Sequence, residues 1–595
     1  LIPGLAKENV FLVDHKQLSK SQMVFVGHYF TKEVKSLLVS EEIGSGAEAP
    51  FLRDKGLYFA IRLKSKLNGD GGENFVLNIP SDKISRFLVI PDKKKHFVIQ
   101  LDDILRLCMD RIFPGREILY CYATKLSRDA ELHLDDEIAD NVRERIIKSL
   151  DKRATGVPSR YLYDTAIPAD YLKYLTKVFK LEKEDLIPGG RYHNFNEFFG
   201  FPSPEKPELE YEPHQDLPSK SLDSHNSIFE AISERDHMLH FPYQSYDYVI
   251  NFLEAAATDE SVKSIKITLY RVASDSKVAK ALITAAKNGK EVLVFDEVRA
   301  RFDESSNIFW GDRIEAAGAK VIYSFDELKV HSKICVVTRM EGNSLKRYSY
   351  LGTGNFNEKT ASIYCDHGLL TKNQHLCDEV EKVFAYLSDT NTRPAFDHLM
   401  VAPFNMRSKF EALIDNEIAH AKDGKKAGMV LKMNSLEDKK MISKIYEASR
   451  AGVKIRIIVR GICCLIPGVE NMSKTVKVYS IIDRYLEHGR MYLFHNGGDE
   501  LIYLASADWM KRNLSRRVEV GFPILDPDLK REVRKLVKYQ LKDNTKARKL
   551  NKIQNNPYKK SRAKKRVQAQ PDTYAYLKKK NVGLSEHDAG AAYTA

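Results

Sequence analysis

An internal repeat constrains the fold of this chain more than any other feature of it. ASRAGVKI at Ala448–Ile455 matches AAKNGKEV at Ala285–Val292, 163 positions apart. In both copies a helical pattern runs into a glycine, Gly289 or Gly452, and a short apolar strand follows (Glu291–Val298 or Lys454–Val459). Glycine stops a helix there because it takes the left-handed conformation without strain. Around the first copy the pattern predicts strands over Val262–Arg271 and Lys320–Ser324, and helices over Lys277–Asn288 and Asn307–Ala317. Such alternation predicts a mostly parallel α/β sheet. Ligands of these sheets sit beyond the strand carboxyl ends, where Arg271 and Arg301 fall. Duplication of a whole unit predicts two tandem α/β domains that share one site at a pseudo-twofold interface.

The residues that carry chemistry lie at matching places in the two copies. In the first, His331-Ser332-Lys333 opens the apolar run Ile334–Val337, which reads as a buried strand. After a polar turn at Glu341–Ser344, a second strand (Tyr348–Leu351) runs into Gly352-Thr353-Gly354-Asn355. On a strand His331 and Lys333 share a face, and a hairpin returns Asn355 beside them. An imidazole, an ammonium and an amide on rigid strands suit a nucleophile attacking phosphorus while cations hold the phosphate oxygens. The second copy offers Arg460 after its strand, then His488 and Arg490, and Ser506-Ala507-Asp508-Trp509 where the first has GTGNFN.

Composition narrows the partners. The net charge is +13, from 94 basic and 81 acidic residues, and favours an anionic ligand. A chain of 595 residues exceeds one core, and its 43% hydrophobic and 29% charged residues are those of a globular protein. Seven cysteines without a CxxC spacing argue for a reducing compartment and against a disulfide framework or metal cluster. No apolar run approaches the roughly 18 residues of a spanning helix. Residues 1–205 mix strands and helices as a head domain, with strand patterns at Leu57–Leu63 and Asn74–Ile79 around a turn at Asn68–Gly72, and helical patterns at Phe97–Arg106 and Glu137–Leu150. The turn PGGRYHN (188–194) reads as structural in preference to phosphate-binding. A proline-rich linker covers 206–221, the two α/β domains 222–398 and 399–583, and a disordered tail 584–595. Lys542–Lys580 is rich in basic residues and reads as a solvated run able to gather anions.

His331, Lys333 and GTGNFN are similar to the phospholipase D superfamily, whose members use a covalent histidine nucleophile on phosphorus. That superfamily places an aspartate a few residues beyond the lysine, where this chain has Val337–Arg339. More closely, the chain resembles the bacterial polyphosphate kinases that work through a phosphohistidine. The likeness is carried by PGGRYHN (188–194), FPYQSYD (241–247), LYR (269–271), ARFDE (300–304), LKVHSK (328–333), LGTGNFNEKT (351–360), DRYLEH (483–488) and SADWMKRN (506–513). The fold implied is a mixed α+β head domain followed by two tandem phospholipase D-like α/β domains. Leu1 falls near the start of that family's head domain, so its small helical amino-terminal domain, with an asparagine that contacts nucleotide, is expected to have no counterpart among these residues.

The resemblance implies reversible transfer of the ATP γ-phosphate to inorganic polyphosphate, with ADP released and His331 as the phosphorylated nucleophile. It implies nucleotide contacts from Tyr364, Arg460 and His488, and a magnesium (Mg2+) site at Arg271 and Arg301. An arginine offers no lone pair to a cation, so these two are read as holding phosphate oxygens that the metal bridges. Lys333, Arg271, Arg301 and Arg460 are the expected phosphate clamps, Asn355 a neutral donor, and His488 a proton carrier for the ADP oxygen. The missing aspartate is explained, on this reading, by ADP being an easy leaving group. The partners implied are ATP or ADP and polyphosphate, with no nucleic acid, in a homo-oligomer (dimer or tetramer) expected in the cytoplasm, free or peripheral at the inner membrane. Two alternatives stand beside this reading: a phosphodiesterase acting on lipid or nucleic acid, and a polyanion binder on a decayed scaffold.

Overall fold

The computed structural model describes residues 2–44, 49–65, 72–128, 143, 144, 147, 158–300, 303–325, 328–559 and 565–582. The chain divides into two compact units, Leu1–Ile138 with Glu144–Glu212, and Ala139–Arg143 with Pro213–Ala595. In the first, a six-stranded sheet (Ser40–Ile43, Gly72–Asn78, Leu57–Lys64, Ile118–Arg128, Pro158–Asp164, Leu186–Gly189) accompanies a three-stranded one (Val10–Val13, His96–Gln100, Phe87–Ile90). The helix expected over Phe97–Arg106 begins only at Leu101, and His96–Gln100 is a strand. In PGGRYHN the Arg191 guanidinium and the Tyr192 hydroxyl both donate to the buried Asp103, each at 2.6 Å. That turn is structural. The expected turn at Asn68–Gly72 and helix at Glu137–Leu150 fall mostly outside the described residues.

The second unit contains the duplication. One sheet orders His237–Phe241, Tyr364–Thr371, Ser344–Gly352, Ile334–Glu341, Val262–Leu269, Glu291–Asp296 and Lys320–Tyr323. The other orders Arg517–Pro523, Leu501–Ala505, Arg490–Phe494, Gly428–Met433, Lys454–Val459, Val476–Ile481 and Ala547–Leu550. In the first sheet Val262–Leu269, Glu291–Asp296 and Lys320–Tyr323, joined through helices, run parallel, while the remaining strands of the order above pair antiparallel, so the expected mostly parallel sheet is a mixed one. Glu341 and Ser344 pair across a two-residue turn, and a connection that short can join only antiparallel strands.

Strand alternation makes both faces of each sheet apolar. Ile334 and Val336 pack into a core shared with Met491, Leu493, Val518 and Val520 of the second repeat, while Cys335 and Val337 face the helices of the first. Tyr492 and Phe494 turn to the helices of the second. The two sheets therefore lie face to face with helices outside. Gly289 and Gly452 have φ of +77° and +95°, which is why each ends its helix.

Each repeat also lends a short strand to the other. Lys329–Val330 runs parallel to Arg517–Val518, and Leu486–Glu487 runs parallel to Tyr364–Cys365. The segment before each of the two histidines, His331 and His488, is thus held by the opposite sheet. Among the described residues no helix is long and apolar enough to cross a membrane.

Candidate active site

The strand exchange delivers each histidine to a carboxylate of the other repeat. His331 and Ser332 donate their amides to the Val518 carbonyl at 2.9 and 3.0 Å, and His488 and Gly489 donate theirs to the Cys365 carbonyl at 3.2 and 2.7 Å. Anchored this way, His331 Nδ1 lies 2.9 Å from Glu519 Oε2, and His488 Nδ1 lies 2.7 Å from Asp366 Oδ2. A hydroxyl completes each pair: Thr353 donates to Asp366 at 2.6 Å, and Ser506 donates to Glu519. Asn513 Nδ2 donates to the second Glu519 oxygen at 2.6 Å.

A carboxylate only accepts, so Nδ1 of each ring carries the proton and Nε2 keeps its lone pair. Burial pushes the His331 pKa down to about 3 against the attraction of Glu519, so the ring is neutral. Burial raises the Glu519 pKa, but His331, Lys333 and Arg517 outweigh it and hold the carboxyl ionised. Asp366 is held ionised against its own burial by His488, Thr353 and Arg490.

The two Nε2 atoms then differ in their surroundings. Arg490 Nη1 lies 3.1 Å from His488 Nε2 and donates to it, occupying the lone pair. The residue matching Arg490 in the first repeat is Lys333, whose ammonium turns back to the His331 carbonyl. Lys333 is buried, and burial together with Arg490 and Arg517 lowers its pKa well below the ordinary value. His331 Nε2 therefore keeps a lone pair that His488 Nε2 has given to an arginine. Tyr270 stands edge-on to the His331 ring at 4.8 Å, and Tyr364 covers the His488 ring at 5.1 Å.

The other expected residues are placed as follows. Arg460 Nε donates to the Glu487 carbonyl at 2.6 Å and to Asn434 Oδ1, beside His488. Asn355 lines a small void with Asp366, and its Oδ1 is buried without a partner. Arg271 pairs with Asp303 at 3.3 Å, and its carbonyl accepts from Asn357 of the GTGNFN turn at 3.3 Å. Arg301 lies outside the described residues. Thr338, the middle of the range where the aspartate was expected, is five strand residues beyond Lys333, about 16 Å along the chain. Its hydroxyl reaches Glu381. Position 338 is not in this site, and the carboxylate beside His331 is that of Glu519.

Sequence reasoning missed Glu519, Asp366 and Arg517. The repeat held a usable signal, because both carboxylates are the third residue of the strand that follows the GTGN or SADW turn.

Gly489 is glycine for a packing reason. A Cβ there would meet His367 Cδ2 at 2.7 Å, and His367 is pinned by a 2.7 Å contact between its Nδ1 and that of the buried His240. Gly489→Ala is expected to cost about 1–3 kcal/mol and to shift His488, slowing turnover. Parent-like denaturant midpoint and turnover would contradict this packing argument.

Acid should weaken the fold before it reaches the carboxylates. His193, His237, His331, His367 and His488 all have pKa values lowered by burial. A lowered folded-state value contributes stability that is complete above the unfolded value of about 6.5 and lost as pH falls toward the folded one. The urea midpoint is therefore expected to drop between about pH 7 and pH 5. A midpoint flat across that window would show that these rings are not held neutral.

A neutral, carboxylate-oriented imidazole beside basic side chains, presented by a duplicated α/β unit, is an arrangement chemically suited to accept a phosphoryl group. Comparison with known proteins agrees. Three family models match in order: the polyphosphate kinase middle domain over 21–201, C-terminal domain 1 over 227–393 and C-terminal domain 2 over 399–570. The chain is 41% identical to the polyphosphate kinase of Vibrio cholerae across 97% of its own length and 83% of that protein. With the polyphosphate kinase of Escherichia coli it shares 39% identity across 97% and 85%. The crystal structure of the Porphyromonas gingivalis polyphosphate kinase superposes with a TM-score of 0.86 at 36% identity, covering 98% of this chain and 87% of that one. The chain belongs to the polyphosphate kinase family.

Proposed function

We infer that the chain transfers the γ-phosphoryl group of ATP reversibly to the end of an inorganic polyphosphate through a phosphohistidine at His331 Nε2. The observation that carries this reading is the Glu519 bond to His331 Nδ1, which leaves Nε2 as a neutral nucleophile. Nε2 attacks the γ-phosphorus, the bond from γ-phosphorus to the bridging oxygen breaks, and its electrons leave on the β-phosphate of ADP. The phosphorylated ring, still protonated at Nδ1, is cationic and is stabilised by the Glu519 carboxylate. A terminal polyphosphate oxygen then attacks the same phosphorus, and the N–P electrons return to Nε2. One anhydride is exchanged for another, so the reaction runs both ways.

In such transfers charge spreads over the equatorial oxygens, and positioned cations supply most of the stabilisation. Lys333 and Arg517 beside His331, Arg460 and Arg490 beside His488, and Arg271 are the clamps on this reading. A phosphate arriving at Lys333 favours its charged form against the burial that opposes it. Tyr364 offers a ring face for the adenine, and His488 exchanges a proton with the β-phosphate oxygen of ADP once an arriving phosphate draws Arg490 from its Nε2. Among the described residues no group of three or more His, Cys, Asp or Glu side chains is arranged to hold a metal ion. Arg271 cannot ligate one. On this reading magnesium enters with the nucleotide as Mg-ATP, and Arg271 and Arg301 would hold its phosphate oxygens.

ATP labelled at the γ-phosphorus should leave acid-labile, base-stable label on the protein, and ATP labelled at the α-phosphorus should leave none. His331→Ala should lose the label, while the parent chases it into an acid-insoluble polymer. Equal labelling of His331→Ala would exclude it as the nucleophile.

A further inference from the structure

The two histidine segments are fixed in different ways, and the difference points to the carboxyl-terminal helix. On the first side, beyond the pairing with Arg517–Val518, the Val330 amide donates to Glu297 Oε2 at 2.8 Å, so the segment before His331 has a further support from within its own repeat. At the matching place before His488, beyond the pairing with Tyr364–Cys365, the further support comes from helix Ala569–Val582. Gln570 lies in the first turn of helix Ala569–Val582 and is buried. Its Oε1 accepts from the Tyr485 amide at 2.9 Å, and its Nε2 donates to the Tyr485 carbonyl at 2.8 Å. One side-chain amide thus pairs with both backbone groups of a residue three positions before His488, as a further strand would.

The same Nε2 also donates to Glu487 Oε1 at 2.9 Å. The other Glu487 oxygen takes Lys432 Nζ at 2.7 Å and Gln540 Nε2 at 3.0 Å. The Glu487 carbonyl in turn receives Arg460. The helix that carries Gln570 is itself anchored, because Asp543 Oδ2 accepts the Ala569 amide at 2.8 Å while Oδ1 accepts three other amides. The family model for the second domain ends at residue 570, so nearly all of this helix lies beyond it.

We propose that Gln570 is a positioning residue for phosphoryl transfer: it sets the Tyr485–Glu487 segment and through it holds His488 and Arg460 in register. The inference rests on the role given above to His488. Buried amide pairs of this kind are costly to leave half made, so the geometry is kept only while both partners are present.

The test compares full-chain Gln570→Met, nearly isosteric but without hydrogen-bonding groups, with the parent, His488→Ala and the double variant. Gln570→Met is expected to lower kcat by about tenfold or more, because small misplacements of reacting groups are expensive. The KM for polyphosphate should stay within about twofold, since uniform binding is not what has been lost. In the His488→Ala background the same substitution should add little, the signature of two residues acting through one step. A kcat within about twofold of the parent, or losses that multiply fully in the double variant, would overturn the proposal. If His488→Ala itself turns over at the parent rate, the role of His488 has failed instead. Should Gln570→Met not fold, Gln570→Asn replaces it: the amide is kept but withdrawn by one methylene, and parent-like turnover there overturns the proposal equally.

Discussion

Glu519→Gln is expected to slow turnover by about a thousandfold, between the effects of losing an oxyanion donor and of misplacing a triad carboxylate. The loss has two physical parts. A carboxylate can only accept, and so dictates the tautomer of His331; an amide can turn its NH2 toward Nδ1 and leave the proton on Nε2, where the lone pair is needed. The phosphorylated ring also loses the ionised partner that stabilises its positive charge. Size is unchanged, and Ser506 and Asn513 still find an amide to bond. Circular dichroism and thermal midpoint should therefore stay near those of the parent while the labelled phosphoenzyme forms slowly. A rapid-quench measurement with γ-labelled ATP separates the two, and an unchanged rate of labelling would remove Glu519 from the mechanism.

Arg490→Met carries the largest expected effect on stability, about 3–5 kcal/mol, because it leaves a buried charge without its partner. Arg490 holds Asp508 through two 3.2 Å contacts and donates to the His488 carbonyl at 2.8 Å and to His488 Nε2. Asp508 is buried, and Arg490 is the main group that keeps it ionised against that burial. The second substitution Asp508→Leu should therefore recover much of the stability. It should not recover turnover, since His488 Nε2 remains without its donor. Recovery of both would mean that the pair serves the fold alone; recovery of neither would mean that packing, not charge, sets the cost.

Much of the catalytic unit was legible in the chain. Helix stops at Gly289 and Gly452, the apolar run after Lys333, and the turn into GTGN are local signals, and local steric rules act on them directly. Sheet direction was less so. Alternation of strands and helices suggested a parallel sheet, and only the short turn at Gly342-Asn343 made its second half antiparallel. The basic stretch read as a solvated run hid a structured helix, because the few residues that dock it (Ala569, Gln570, Tyr576) sit in a short segment flanked on both sides by lysine runs.

By itself the sequence determined the duplicated α/β unit and marked out its two histidines with the basic residues near them, since periodicity, turn chemistry and residue type are properties of neighbours. What only the tertiary structure decided is which partners those residues have. His331 meets Glu519 across 188 positions, His488 meets Asp366 across 122, and Gln570 meets Tyr485 across 85. Those meetings depend on two short strands crossing to the opposite sheet, an arrangement set by the packing of one repeat on the other. The same packing distinguishes two similar histidines: Arg490 caps Nε2 of one, and the ammonium of Lys333 turns away from Nε2 of the other.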